Sequence, residues 1–72
     1  MKSMAEEYNE SIRPTAERPW LYVHKSTGFR YTFPERSHAF YLRTVGEKQL
    51  MSLYTISKFD TATGKEIPHV PA

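Results

Sequence analysis

Seventy-two residues without a single cysteine leave this chain no disulfide and no thiolate metal site, so packing and hydrogen bonds alone must hold it together. The length sits near the lower limit for an unaided domain. At that size, area burial nearly cancels an entropy cost of about 1.5 kcal/mol per ordered residue. Marginal stability is the expectation, or a fold completed by its partner. The same smallness leaves little room for the pocket that a small-molecule enzyme needs.

The three glycines divide the chain. Gly28, Gly46 and Gly64 each lie between apolar or β-branched runs, where a turn is expected. Around Ser26-Thr27-Gly28 the runs Trp20–Lys25 and Phe29–Phe33 read as a hairpin. A two-residue loop favours Asn-Gly or Gly-X, which Ser-Thr is not. A three-residue loop with Gly28 left-handed is therefore expected. That register pairs Val23 with Tyr31 and Leu21 with Phe33, making Leu21, Val23, Tyr31 and Phe33 a core face. Trp20, Tyr22, His24 and Arg30 then share the other face. A slip of one residue would reverse every side chain and gather Trp20, Tyr22, Tyr31 and Phe33 together as core.

Gly46-Glu47 carries the signature of a type II′ turn, glycine at the first central position. It implies a second hairpin, His38–Val45 with Lys48–Ser57, opposing Leu42 to Met51 and Phe40 to Leu53 on its core side. Tyr41 and Arg43 fall on the other side. A rival helix over residues 47–58 fits the spacing of Leu50, Leu53 and Tyr54, whereas Tyr54-Thr55-Ile56 favours strand. A last turn at Asp60–Gly64 leads to a short strand at Lys65–Ile67, and the prolines beyond it cannot continue inside a sheet.

Residues 3–13 read as a short helix. Met4, Tyr8 and Ile12 make a narrow apolar stripe, Ser3 is placed to cap the N-terminus, and Glu6 completes a capping box. Pro14 ends it. Such a helix is unstable alone and must dock, or else it is a disordered arm. The expected fold class is α+β, a short N-terminal helix followed by a small antiparallel meander of four to five strands. Residues 1–19 are the helix or arm with its linker, and residues 20–72 the β domain.

Charge follows the same division. Residues 1–17 hold four acids against two bases, and residues 18–72 hold eight bases against four acids. No targeting segment or membrane-length apolar run is present, so a cytoplasmic site of action is expected. Asn9-Glu10-Ser11 fits a glycosylation sequon, which has no meaning without secretion. Thr63-Gly64-Lys65 lacks the upstream glycine and following hydroxyl of a phosphate loop, because Phe59 and Glu66 stand there. His24, His38 and His69 are too scattered to form a ligand motif, and no nucleophile is marked. Neither catalysis nor a cofactor is expected.

Binding remains. Trp, Tyr and Arg dominate interface hot spots because they bury large areas and carry polar tips. The candidate surface is Trp20, Tyr22, His24 and Arg30 with Tyr41 and Arg43, and Glu6, Glu7 and Glu10 offer a second contact to a basic surface. A protein partner is the leading expectation. The alternative is single-stranded nucleic acid, stacked on aromatics and held by Arg and Lys, although no recognised nucleic-acid signature is present. Gly28-Phe29-Arg30-Tyr31-Thr32-Phe33 is similar to strands of small phage single-strand-binding proteins. A third possibility is an assembly subunit pairing through exposed sheet edges. In size and style, though in no diagnostic residue, the chain resembles small phage-encoded proteins that bind and inhibit host machinery such as the transcription apparatus. That resemblance implies a regulator of a protein partner and assigns no site.

Overall fold

A computed structural model describes residues 2–70. In chain order the elements are α1 (Met4–Ser11), β1 (Trp20–His24), β2 (Arg30–Phe33), α2 (Glu35–Thr44), α3 (Glu47–Leu53), β3 (Tyr54–Asp60) and β4 (Lys65–Pro68). The strands form one antiparallel sheet in the order β2-β1-β3-β4. The α+β class and the four-stranded antiparallel sheet are as expected, but the sheet is not the expected meander, because two further helices follow β2 and β3 pairs with β1. The chain leaves the sheet after β2, lays α2 and α3 over one face, and returns as β3 on the far side of β1.

The N-terminal helix begins where its capping signal places it. Ser3 Oγ accepts from the Glu6 amide at 3.1 Å, and Glu6 and Glu7 occupy the first turn, where the helix dipole favours carboxylates. Ile12 is already extended, two residues ahead of Pro14.

The first hairpin takes the register that sequence reasoning rejected. Trp20 pairs with Phe33, Leu21 with Thr32, Tyr22 with Tyr31 and Val23 with Arg30. His24 N donates to Phe29 O at 2.9 Å and Gly28 N to His24 O at 2.8 Å, so the connection is four residues long, Lys25–Gly28. Gly28 is left-handed as expected, with φ +77°. Two forces shift the register. Locally, His24 Nδ1 accepts from the amides of Ser26 and Thr27, which starts the turn one residue early. Globally, the shift gathers Trp20, Tyr22 and Phe33 on one face, and burying a large apolar side chain contributes about 1.5–3 kcal/mol. A turn preference is the weaker of the two.

The second hairpin is absent: the segment expected to be its first strand and half of its second is helical. In α2, His38, Tyr41, Leu42 and the following Val45 recur at helical spacing, with Glu35 in the first turn and Arg43 in the last. In α3, Leu50 and Met51 face the sheet. Gly46 does have positive φ, at +99°, but it joins two helices instead of two strands. Its amide donates to Tyr41 O and its carbonyl accepts from Leu50 N. The rival helix over residues 47–58 is correct to Leu53. From Tyr54 onward the β-branched and aromatic run is strand, the central β3.

Alternation along the strands defines two faces. Trp20, Tyr22 and Ile56 join Leu50 in the main core, with Phe33, Tyr41, Leu42, Met51 and Tyr54 packed around them. Leu21 lies on the opposite face, buried apart from that core. Pro14 is buried as well, and Arg30 Nε donates to Ile12 O at 2.9 Å, so the segment after α1 covers this side. The core pairs expected from the second hairpin do not form, and Phe40 and Leu53 are exposed.

The last turn is as expected. Asp60 accepts from the Ala62 amide and the Thr63 hydroxyl, both at 3.0 Å, and Gly64 has φ +72°.

Candidate protein-binding surface

The expected binding face is divided between the two sides of the sheet. Trp20 and Tyr22 lie inward, Tyr22 only 2% exposed, and both belong to a polar and aromatic cluster beneath α2. Trp20 stacks on His38 with ring centres 3.4 Å apart, and its indole N–H donates to Glu35 Oε2 at 2.6 Å. Tyr22 Oη and His38 Nδ1 are hydrogen-bonded at 2.6 Å. Lys58 sits 3.3 Å from Glu35 and 5.4 Å from the centre of the Trp20 ring. His69 meets both the Trp20 and His38 rings edge-on and pairs with Glu47 at 3.1 Å.

Electrostatics make this cluster structural. Burial pushes the Tyr22 phenol up to about 12, with Tyr41 adding to the shift. Burial, helped by His69, lowers His38 below the usual histidine value and favours the neutral ring. Glu35 is lowered by the hydrogen bond from Trp20 and by Lys58. Among the described residues no buried side-chain polar atom lacks a partner.

The remaining candidates scatter. His24 serves its own turn. Arg30 faces the other side, tied to Ile12 O and 3.8 Å from Glu66. Tyr41 is half-buried against Phe33, with ring centres 5.2 Å apart. Arg43 is exposed, its guanidinium 6.0 Å from the Phe40 ring. Glu6, Glu7 and Glu10 are all exposed on α1, where Glu10 pairs with Lys2 at 2.7 Å.

What the structure does assemble is a surface on α1. No residue of this helix is buried. Met4 is 86% exposed and Tyr8 72%, on a helix whose other side is clipped to the edge of β2 by one residue. Asn9 Nδ2 donates to Gly28 O at 3.0 Å, and its Oδ1 accepts from Arg30 N at 2.7 Å, so the amide mimics a paired strand. Between the helix and the hairpin lies a groove of about 360 Å³ whose walls include Tyr8, Ile12, Phe29 and Tyr31. By helical spacing Met4, Glu7 and Ser11 point away from Asn9, with Tyr8 and Glu10 flanking them. The Met4–Tyr8 stripe was legible in the sequence, where the helix was expected either to dock or to be a disordered arm. Nothing in the sequence marked Asn9 as the clip.

Both sheet edges are blunted. Arg18 donates to Thr32 O at 2.6 Å beside the Asn9 clip on β2. On the other edge, β4 is four residues long and ends in Pro68, which has no N–H to offer. Among the described residues no group of three or more potential metal ligands occurs, and no helix is long and apolar enough to cross a membrane.

The arrangement defines a small α+β protein with an aromatic core and an exposed acidic-apolar helix. No protein-family model matches the chain, and the searches of curated proteins and of solved structures give no match.

Proposed function

We propose that this protein is a non-catalytic module that binds a protein partner through α1 and regulates it. The single observation behind this reading is that α1 buries nothing in its own chain yet presents Met4 and Tyr8 beside Glu7 and Glu10. A helix of eight residues is unstable by itself, so a packing surface is what it lacks. The fitting partner carries an apolar pocket rimmed by Lys or Arg, because the carboxylates on this side favour a basic surface. Cytoplasmic machinery, transcription included, is the proposed target, in line with the small phage regulators that the chain resembles in size.

Single-stranded nucleic acid is the weaker alternative. Base stacking needs open rings, and Trp20 and Tyr22 are covered by the chain's own helices. Assembly by strand addition is weaker still, given the blunted edges. The test is affinity capture from nuclease-treated lysate with the intact protein and with Met4→Ser/Tyr8→Ser. A protein retained by the first and lost with the second supports the reading. Capture that survives the double substitution, or that disappears with nuclease, refutes it.

A further inference from the structure

The outer side of α2 is the electrostatic opposite of α1. Arg36, Phe40 and Arg43 lie at helical spacing on one exposed stripe, turned away from His38, Tyr41 and Leu42, which face the core. Phe40 is 50% exposed, a large aromatic without cover. Among the described residues neither Arg36 nor Arg43 has a carboxylate within ion-pair distance, Glu6 and Glu7 have no cation within it, and Glu10 pairs only with the exposed Lys2. One helix thus offers Met4 and Tyr8 with acids, and the other offers Phe40 between two arginines.

We infer that α1 of one copy docks on the Arg36–Phe40–Arg43 stripe of α2 in a second copy. This rests on the reading of α1 as a docking element and names one occupant for it. Met4 and Tyr8 would cover Phe40, while Glu7, and Glu10 in exchange for its contact with Lys2, meet the guanidiniums, whose two Cα positions are separated by about 10 Å along the helix axis. The contact is heterologous, α1 to α2, so in a pair one copy keeps an unused α2 stripe and the other an unused α1 stripe unless the arrangement closes. Two short helices bury an area at the low end for specific interfaces, so the association is weak and concentration-dependent. Because its charges sit at the surface, salt weakens it. Self-association and partner binding then compete for the same helix.

The experiment is sedimentation velocity on the full chain, from dilute solution up to its solubility limit, at low and high salt. The expected result is a mass rising above the 8.4 kDa of one chain at low salt and falling back at high salt. Glu7→Arg/Glu10→Arg and Arg36→Glu/Arg43→Glu should each remain monomeric, with unchanged circular dichroism. Mixed together they should associate again, because each then offers the other an opposite stripe. Phe40→Ser tests the apolar half without altering charge and should also remain monomeric. A single-chain mass under every condition overturns the inference, as does association that ignores the reversals or a mixture that stays apart. If the protein is monomeric yet still captures a partner through Met4 and Tyr8, the proposed function stands and only the second copy is wrong.

Discussion

Helices α1 and α2 are similar in length and both amphipathic, yet one is outside the fold and the other is part of it. The difference lies in what each places toward the sheet. Helix α2 brings His38, Tyr41 and Leu42 over Trp20, Tyr22 and Phe33, so its apolar and aromatic side has large rings to meet. Helix α1 turns Asn9 toward β2 and Met4 away from it, so what joins it to the sheet is mainly a pair of side-chain hydrogen bonds. Stability therefore resides under α2, and α1 keeps its apolar stripe, Met4 and Tyr8, exposed.

The contrast breaks most visibly under substitution of the core. Trp20→Ala should cost about 3–5 kcal/mol, enough to unfold a domain of this size, as read by urea denaturation. Tyr8→Ala should stay within about 0.5 kcal/mol in the same assay. Equal losses would mean that α1 is as integral as α2. Tyr22→Phe removes the hydroxyl from His38 and should cost about 1–2 kcal/mol, with the fold retained.

Gly28→Val should lower stability by about 1 kcal/mol or more, seen as a lower melting temperature, because the left-handed backbone there strains any β-branched side chain. That prediction follows from the one property of the first turn that was legible in the sequence. The register around it was not legible, because one side-chain contact within the turn and one tertiary contact decide it. His24 folds its ring over the following amides, and Trp20 finds a stacking partner in His38, fourteen residues beyond its own strand's end. Likewise Gly46 was recognised as a turn, but a single glycine with positive φ can join strands or helices. The helical spacing of His38, Tyr41, Leu42 and Val45 decides between them. The capped helix at Ser3, the Asp60–Gly64 turn and the short last strand were all readable, because local hydrogen bonds set them. Of the candidate site, the acids of α1 are exposed as expected, whereas Trp20 and Tyr22 moved to the core with the one-residue slip.

Acid should act on the α2 side first. His38 has a folded value below its usual 6.5, so the unfolded chain binds more protons as pH falls. Stability is therefore full above about 6.5 and declines below it, toward the lowered folded value. Glu35, also lowered, adds a loss below its ordinary 4.5. Trp20 is the sole tryptophan and stacks on His38, so its fluorescence reports this titration directly. His38→Gln should flatten the upper part of the profile. At the alkaline end Tyr22, raised to about 12, contributes stability that is present below 10 and lost between 10 and 12.

A small effect is also expected of Asn9→Ala on global stability, about 1 kcal/mol or less, since one of its two hydrogen bonds is exposed and the other only part-buried. Its local effect is the one that bears on α1. Native-state amide hydrogen exchange, residue by residue, measures that directly. The amides of α1 should exchange through a local opening well below the global unfolding free energy, and Asn9→Ala should abolish their remaining protection while β1 and α2 stay protected. Protection of α1 equal to that of β1, unchanged by Asn9→Ala, would contradict the claim that this helix stands outside the fold and is free to bind.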